Sequence, residues 1–271
     1  MSGQASKFDD LHIRLISALA LGLIALVVFV FGGLWSAALL ALGCGAMIWE
    51  WREMVVGKGQ GLRLRALPMV IAGPVGVLVA DQWDPFTGIF AMLVLLAIGA
   101  GAERARLRFI LPGVAYIGIA MICIEALRND TRFGFLAVLW LVLIVIAADV
   151  GGYFGGRIFG GPKLWPRVSP KKTWAGVIGG VLFAQITGFV FGLFTAVTYA
   201  PEVALMSAVV ALVSVGGDLI ESSAKRYFGV KDSSRLMPGH GGILDRLDGL
   251  MAAAIFVAAI SFFRGQSIFL W

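Results

Sequence analysis

GDLIESSAKRYFGVKDSSRLMPGHGGILDRLD, residues 217–248, decides what kind of molecule this chain is. The stretch begins inside one apolar run, 203–215, and ends where another, 249–263, begins. Between them lie five carboxylates, five Lys or Arg residues, one histidine and the turn sequence Pro238-Gly239-His240-Gly241-Gly242. A charged connector whose acids merely pair with its bases would place them beyond the helix ends. Asp218 and Glu221 instead sit within the hydrophobic segment. Ionisable groups at bilayer depth are costly and mark a site with a partner or a ligand.

Working outward, the rest of the chain is hydrophobic on the same scale. Its 271 residues are 59% hydrophobic and 14% charged, with a mean hydropathy of +0.92. That composition excludes a soluble domain and describes a polytopic, all-α membrane protein. Apolar windows of spanning length fall at 14–32, 34–49, 66–80, 85–100, 109–127, 135–156, 174–198, 203–222 and 246–264. Backbone in lipid must satisfy its own hydrogen bonds, so these nine windows are expected to be helices. With the N-terminus cytoplasmic, 19 of the 22 basic residues fall on inside segments; Arg128, Arg132 and Arg264 do not. The asymmetry predicts nine spans, N-terminus in and C-terminus out. It also accounts for the net charge of +6 without nucleic acid as a partner. The first window is longer than a signal h-region, and Asp9 and Asp10 precede it, so it is expected to stay on the chain. Cys44 and Cys123 are too isolated for a metal pair or a disulfide.

Two parts follow from where the chemistry lies. Residues 1–133 read as scaffold spans: Glu50 and Glu53 flank Trp51 and Arg52 as an interfacial anchor. The sequence Ala80-Asp81-Gln82-Trp83-Asp84-Pro85 reads as an outer turn, and Glu125 as a snorkelling partner of Arg128. Residues 134–271 read as the catalytic region, with cytoplasmic loops 157–173 and 225–245. There Asp149 stands among Gly151, Gly152, Gly155 and Gly156, which permit close helix packing. Ser169, Lys171, Lys172 and Thr173 stand before the seventh window, whose helix N-terminus suits phosphate. Asp218, Glu221, Ser222 and Lys225 have offsets that place them on one helix face. Glycines in the loop 227–242 offer a backbone nest for an anion, and Asp245 and Asp248 open the last window.

Carboxylates without Cys/His ligand pairs, set among Lys and Arg, point to Mg²⁺ with phosphates rather than zinc. Neither a nucleophile elbow nor a Walker A sequence is present. The residue chemistry permits metal-assisted phosphoryl or nucleotidyl transfer at a membrane face.

The pattern Ser222-x-x-Lys225-Arg226-x4-Lys231-Asp232-x-Ser234-x3-Pro238-x-His240-Gly241-Gly242-x2-Asp245-Arg246-x-Asp248 resembles the signature of the CTP:phosphatidate cytidylyltransferase (CDP-diacylglycerol synthase) family. Asp149-x-Gly151-x-Tyr153 and Ser169-Pro170-Lys171-Lys172-Thr173-x2-Gly176 are similar to upstream blocks of that family. Ala224 and Met237 depart from its usual bulkier or branched residues. The resemblance covers 149–248 and implies transfer of a cytidylyl group from CTP to phosphatidate with Mg²⁺, in phospholipid biosynthesis at the inner cell membrane. It implies metal ligation by Asp218 and Asp245, with Asp149 and Asp248 as further candidates. The candidate catalytic set is Asp218, Asp245, Lys225 and Arg246. Ser169, Lys171, Lys172, Ser222, Arg226, Lys231 and His240 are expected to bind substrate, and the resemblance implies a homodimer. A CDP-alcohol phosphotransferase would need an Asp-Gly-x2-Ala-Arg pattern that this chain lacks. An ion-coupled transporter would need two related halves with paired broken helices, whereas here a bland half precedes a charged one.

Overall fold

Length decides which apolar windows become full spans. The computed structural model describes residues 22–57, 64–101, 106–195, 199–234, 236 and 241–270. Its helices are α1 (Gly22–Phe31), α2 (Leu34–Val56), α3 (Leu67–Gln82), α4 (Pro85–Gly99), α5 (Leu107–Arg128) and α6 (Gly134–Ile158). They continue with α7 (Trp174–Thr195), α8 (Ala200–Tyr227) and α9 (Leu244–Arg264). The expected helical membrane architecture is present. Six helices among the described residues, α2 and α5 to α9, are long and apolar enough to cross a membrane. At 16 and 15 residues, α3 and α4 reach only about 24 and 22 Å, short of roughly 30 Å of hydrocarbon.

The segment between them is more than a turn. Asp84 is the N-cap of α4: its Oδ1 accepts from the N–H groups of Phe86 and Thr87 at 2.8 and 3.1 Å, and Pro85 follows at the first helical position. The Thr87 hydroxyl and these N–H groups hold the Asp84 carboxyl below the usual carboxylate range, as capping by an anion should.

Packing divides the chain into two units. One comprises Met1–Gly118 with Asp232–Asp245; the other comprises Ile119–Lys231 with Arg246–Trp271. In the first, α3 packs on both α2 and α4, at distances that leave no room for side chains. A Cβ on Gly73 would lie 2.6 Å from Ile48 Cδ1, and one on Gly99 would lie 2.7 Å from the Met69 nitrogen. The end of α2 does not lie at an open interface. Glu50 and Arg52 are buried, Trp51 donates through Nε1 to Phe109 O at 3.1 Å, and Arg106 donates to Val55 O at 3.1 Å. The sequence expectation of an anchor at Glu50 is therefore corrected: neighbouring backbone and side chains enclose the acid.

In the second unit α6 and α7 run antiparallel with their backbones nearly touching. A Cβ on Gly151 would stand 2.6 Å from Gly179 O, on Gly155 2.7 Å from Ala175 O, and on Gly180 2.7 Å from Ala148 O. The glycines around Asp149 thus serve close helix packing. Between these helices the chain forms a two-stranded antiparallel hairpin, β1 (Lys163–Trp165) and β2 (Ser169–Thr173), pairing Lys163 with Thr173 and Trp165 with Ser169. The far end of the unit is closed by Phe269, which meets Phe133, Trp140 and Phe191. Glu125 is fully buried instead of snorkelling, because the end of α5 that carries it also buries Ile122, Ile124 and Leu127.

Candidate active site

Helix periodicity builds the charged face of α8. Ser222 Oγ donates to Asp218 Oδ1 at 3.0 Å, and Lys225 Nζ pairs with Glu221 Oε1 at 3.2 Å, both at the four-residue offset that stacks side chains on one face. The helix continues through these residues past the apolar window, to Tyr227, because the pairs support one more turn. Strand β2 then brings in a cation: Lys172 Nζ stands 2.5 Å from Asp218 Oδ2, with the two side chains 25% and 30% exposed. The pair remains open to a ligand, unlike Glu221 and Lys225, which are buried.

Two further acids share this electrostatic neighbourhood. Asp149 on α6 feels the charges of Asp248, Asp218, Lys172 and Arg246. Asp248 on α9 lies within electrostatic range of Glu221, Asp218 and Lys225. Gly217 allows the approach of α9 to α8, since a Cβ there would meet Asp248 O at 2.7 Å. Three helices and one strand therefore bring together Asp149, Asp218, Glu221 and Asp248 with Lys172, Lys225 and Arg246.

Other expected substrate-binding residues have structural duties or stand apart. Arg226 donates to Val168 O at 3.4 Å and to Val230 O at 3.2 Å, tying the hairpin turn to the end of α8. Thr173 Oγ1 accepts from Gly176 N at 3.1 Å and so caps α7. Lys171 and Lys231 are exposed and Ser169 is half-buried. His240, with Pro238 and Gly239, lies outside the described residues.

In the other unit, the loop after Lys231 folds around two carboxylates. Asp245 Oδ2 accepts from Ser233 N and Ser233 Oγ, both at 3.0 Å, and from Gly242 N at 2.9 Å. Glu50 Oε1 accepts from Ser234 Oγ at 2.6 Å and Ile243 N at 2.9 Å; Oε2 accepts from Leu244 N at 2.8 Å. Of the expected nest, Gly242 is engaged from within the protein, and Gly239 lies outside the described residues. The N–H groups of residues 242–244 converge on an anion, but that anion is the protein's own, Asp245 or Glu50. The sequence reading missed Glu50. The available signal was an acid just past the end of the apolar window 34–49, weaker than the position inside a window that singled out Asp218.

The matched family model, the cytidylyltransferase family, covers residues 12–263. This chain belongs to the cytidylyltransferase family. Among its relatives, the phosphatidate cytidylyltransferase of Brucella suis biovar 1 is 36% identical over 248 residues, 91% of each chain. That of Haemophilus influenzae is 43% identical over 159 residues, covering 57% of this chain and 54% of the relative. That of Helicobacter pylori strain 26695 is 38% identical over 175 residues, 65% of this chain and 64% of the relative. The match to the Brucella protein takes in the N-terminal spans as well, beyond the 149–248 region that carries the motifs.

The family resemblance implies Mg²⁺, and the donor set fits a hard cation. The acids offer only oxygen, and four of them face three cationic side chains. Among the described residues no three Asp, Glu, His or Cys side chains already converge as a metal-binding group.

Proposed function

We propose that this chain transfers the cytidylyl group of CTP to phosphatidate, giving CDP-diacylglycerol and pyrophosphate. The observation that carries the reading is the ion pair of Asp218 with Lys172, set beside Asp149 and Asp248 in a member of the cytidylyltransferase family. In the reaction, a phosphate oxygen of phosphatidate bonds to the α-phosphorus of CTP, and the bond from that phosphorus to the bridging oxygen of the β-phosphate breaks. The nucleophile is already anionic at neutral pH, so no strong general base is required. The difficulty is to bring two polyanions together, which calls for positive charge in fixed places.

Asp218 would hold Mg²⁺, with Asp149 and Asp248 as weaker candidates beside it, and the ion when bound would neutralise phosphate charge and polarise the phosphoryl group. Asp245 keeps the same candidate role in its own unit. Its bonds from Ser233 and Gly242 orient the carboxylate, and a bound cation would draw on the same oxygens. Lys171, Lys172, Lys231 and Arg246 would neutralise triphosphate and lipid phosphate, with Lys225 a fixed positive charge behind them in its buried pair with Glu221; Lys172 would exchange its hold on Asp218 for a phosphate oxygen. Ser169, Ser222, Arg226 and His240 complete the proposed substrate contacts, and the assembly proposed is a homodimer. Purified protein given radiolabelled CTP and phosphatidate should place label in CDP-diacylglycerol and release pyrophosphate. No label in lipid, or label that enters lipid without added phosphatidate, would overturn this function.

The proposed topology is nine spans in the inner membrane, the short α3 and α4 crossing where the bilayer thins around them, with N-terminus and active site cytoplasmic and C-terminus outside. Its support is the 19-to-3 distribution of basic residues. Gln82 and Asp232 are both exposed and lie on opposite sides in this arrangement. In a chain free of Cys44 and Cys123, an impermeant thiol reagent added outside should label Gln82→Cys and spare Asp232→Cys. Labelling of the second and not the first reverses the orientation.

A further inference from the structure

Glu50 is a fully buried acid on a helix that carries none of the sequence motifs. Its donors lie 183 to 194 residues away along the chain. Burying a carboxylate costs several kcal/mol unless hydrogen bonds replace its water, and here they do. Ser234 Oγ at 2.6 Å and Ile243 N at 2.9 Å reach one oxygen; Leu244 N at 2.8 Å and Ser233 Oγ at 3.3 Å reach the other. Leu244 is the first residue of α9, so Glu50 supplies from another helix the anion that a helix N-terminus favours.

The same contacts lead on to Asp245. The Ser233 hydroxyl lies between the two acids, 3.0 Å from Asp245 Oδ2 and 3.3 Å from Glu50 Oε2, and the Ser233 N–H also points to Asp245. Gly242 donates to Asp245, and a Cβ there would stand 2.7 Å from Glu50 Oε1. One loop is thus gripped by Glu50 on one side and orients Asp245 on the other.

We propose that Glu50 is a positioning residue for cytidylyl transfer: it fixes Ser233, Ser234, Ile243 and Leu244 and through Ser233 and Gly242 sets the carboxylate of Asp245. The proposal rests on the function argued above. Its chemistry demands both oxygens and the charge. The amide of Gln would turn an NH₂ group toward a donor, because all four partners donate. Asp would keep both acceptors and the charge but withdraw them by about 1.5 Å.

The test uses the purified full-length chain with E50Q, E50D and S234A, each assayed for CTP incorporation and for backbone amide exchange across residues 241–246. E50Q should lower kcat by about tenfold to a hundredfold, the effect of misplacing a reacting group by about an ångström, with KM for CTP little changed. Ile243 and Leu244 should exchange faster while the rest of α9 keeps its protection. E50D should recover part of the lost kcat. A folded E50Q with the parent's kcat overturns the proposal, and faster exchange without a fall in kcat reduces Glu50 to a structural anchor. Should E50Q fail to fold, S234A decides, since it removes one donor and leaves the charge. A fall in its kcat at constant KM supports positioning, and an unchanged kcat overturns it. A parent chain that incorporates no label overturns the functional reading itself, which the exchange measurement does not depend on.

Discussion

Replacing Asp218 with Asn is expected to lower CTP incorporation into lipid by about a thousandfold, roughly 4 kcal/mol of transition-state stabilisation. The change keeps the size of the side chain and an oxygen that can accept from Ser222, now 3.0 Å from Oδ1. It removes the charge opposite Lys172, 2.5 Å from Oδ2, and a hard divalent ion needs anionic oxygen more than shape. The side chain is 30% exposed, so the substitution opens no cavity and the fold should survive. Lys172 would then remain bound to the phosphates it should release, or would turn to Asp149 and Asp248 nearby. Size-exclusion elution and thermal melting must match the parent before the rates are compared. A folded Asp218→Asn protein with near-native CDP-diacylglycerol formation contradicts the central assignment.

The stripe on α8 was legible because helix periodicity alone fixes which of Asp218, Glu221, Ser222 and Lys225 share a face. The helical class was legible too, since hydropathy reports what lipid demands of backbone. The helix end was less so: the apolar window stops at 222, but α8 runs to Tyr227, because hydropathy registers polarity and not the side-chain pairs that prolong a helix. The β1–β2 hairpin left no mark. Its strands have three and five residues and carry lysines and a proline in place of alternating apolar residues. Glu50 escaped for a different reason. No local period links position 50 to positions 233–244, and the glycines that suggested an anion nest could not reveal that the protein supplies the anion itself. Glu125 shows the same limit, because burial of a helix end depends on what packs over it and not on its own sequence.

Removal of divalent metal is expected to abolish incorporation altogether. Excess EDTA should leave no label in lipid above background, and added Mg²⁺ should restore it, with Mn²⁺ a partial substitute and Zn²⁺ none. Asp149, Asp218, Glu221 and Asp248 offer oxygen only, and Cys44 and Cys123 are free thiols. Oxygen ligands at octahedral spacing suit Mg²⁺, whereas zinc prefers nitrogen and sulfur. Charge gives the second step. A triphosphate and a phosphomonoester bring several negative charges into a neighbourhood where four carboxyls already outnumber Lys172, Lys225 and Arg246. Without a divalent ion, repulsion between acids and phosphates would oppose binding and the approach of the two substrates alike. The loss should therefore exceed that of the Asp218→Asn change, and CTP or dCTP should be preferred to ATP throughout. Incorporation that continues undiminished in excess EDTA would take the metal out of the reaction and leave the lysines and Arg246 to neutralise the phosphates alone.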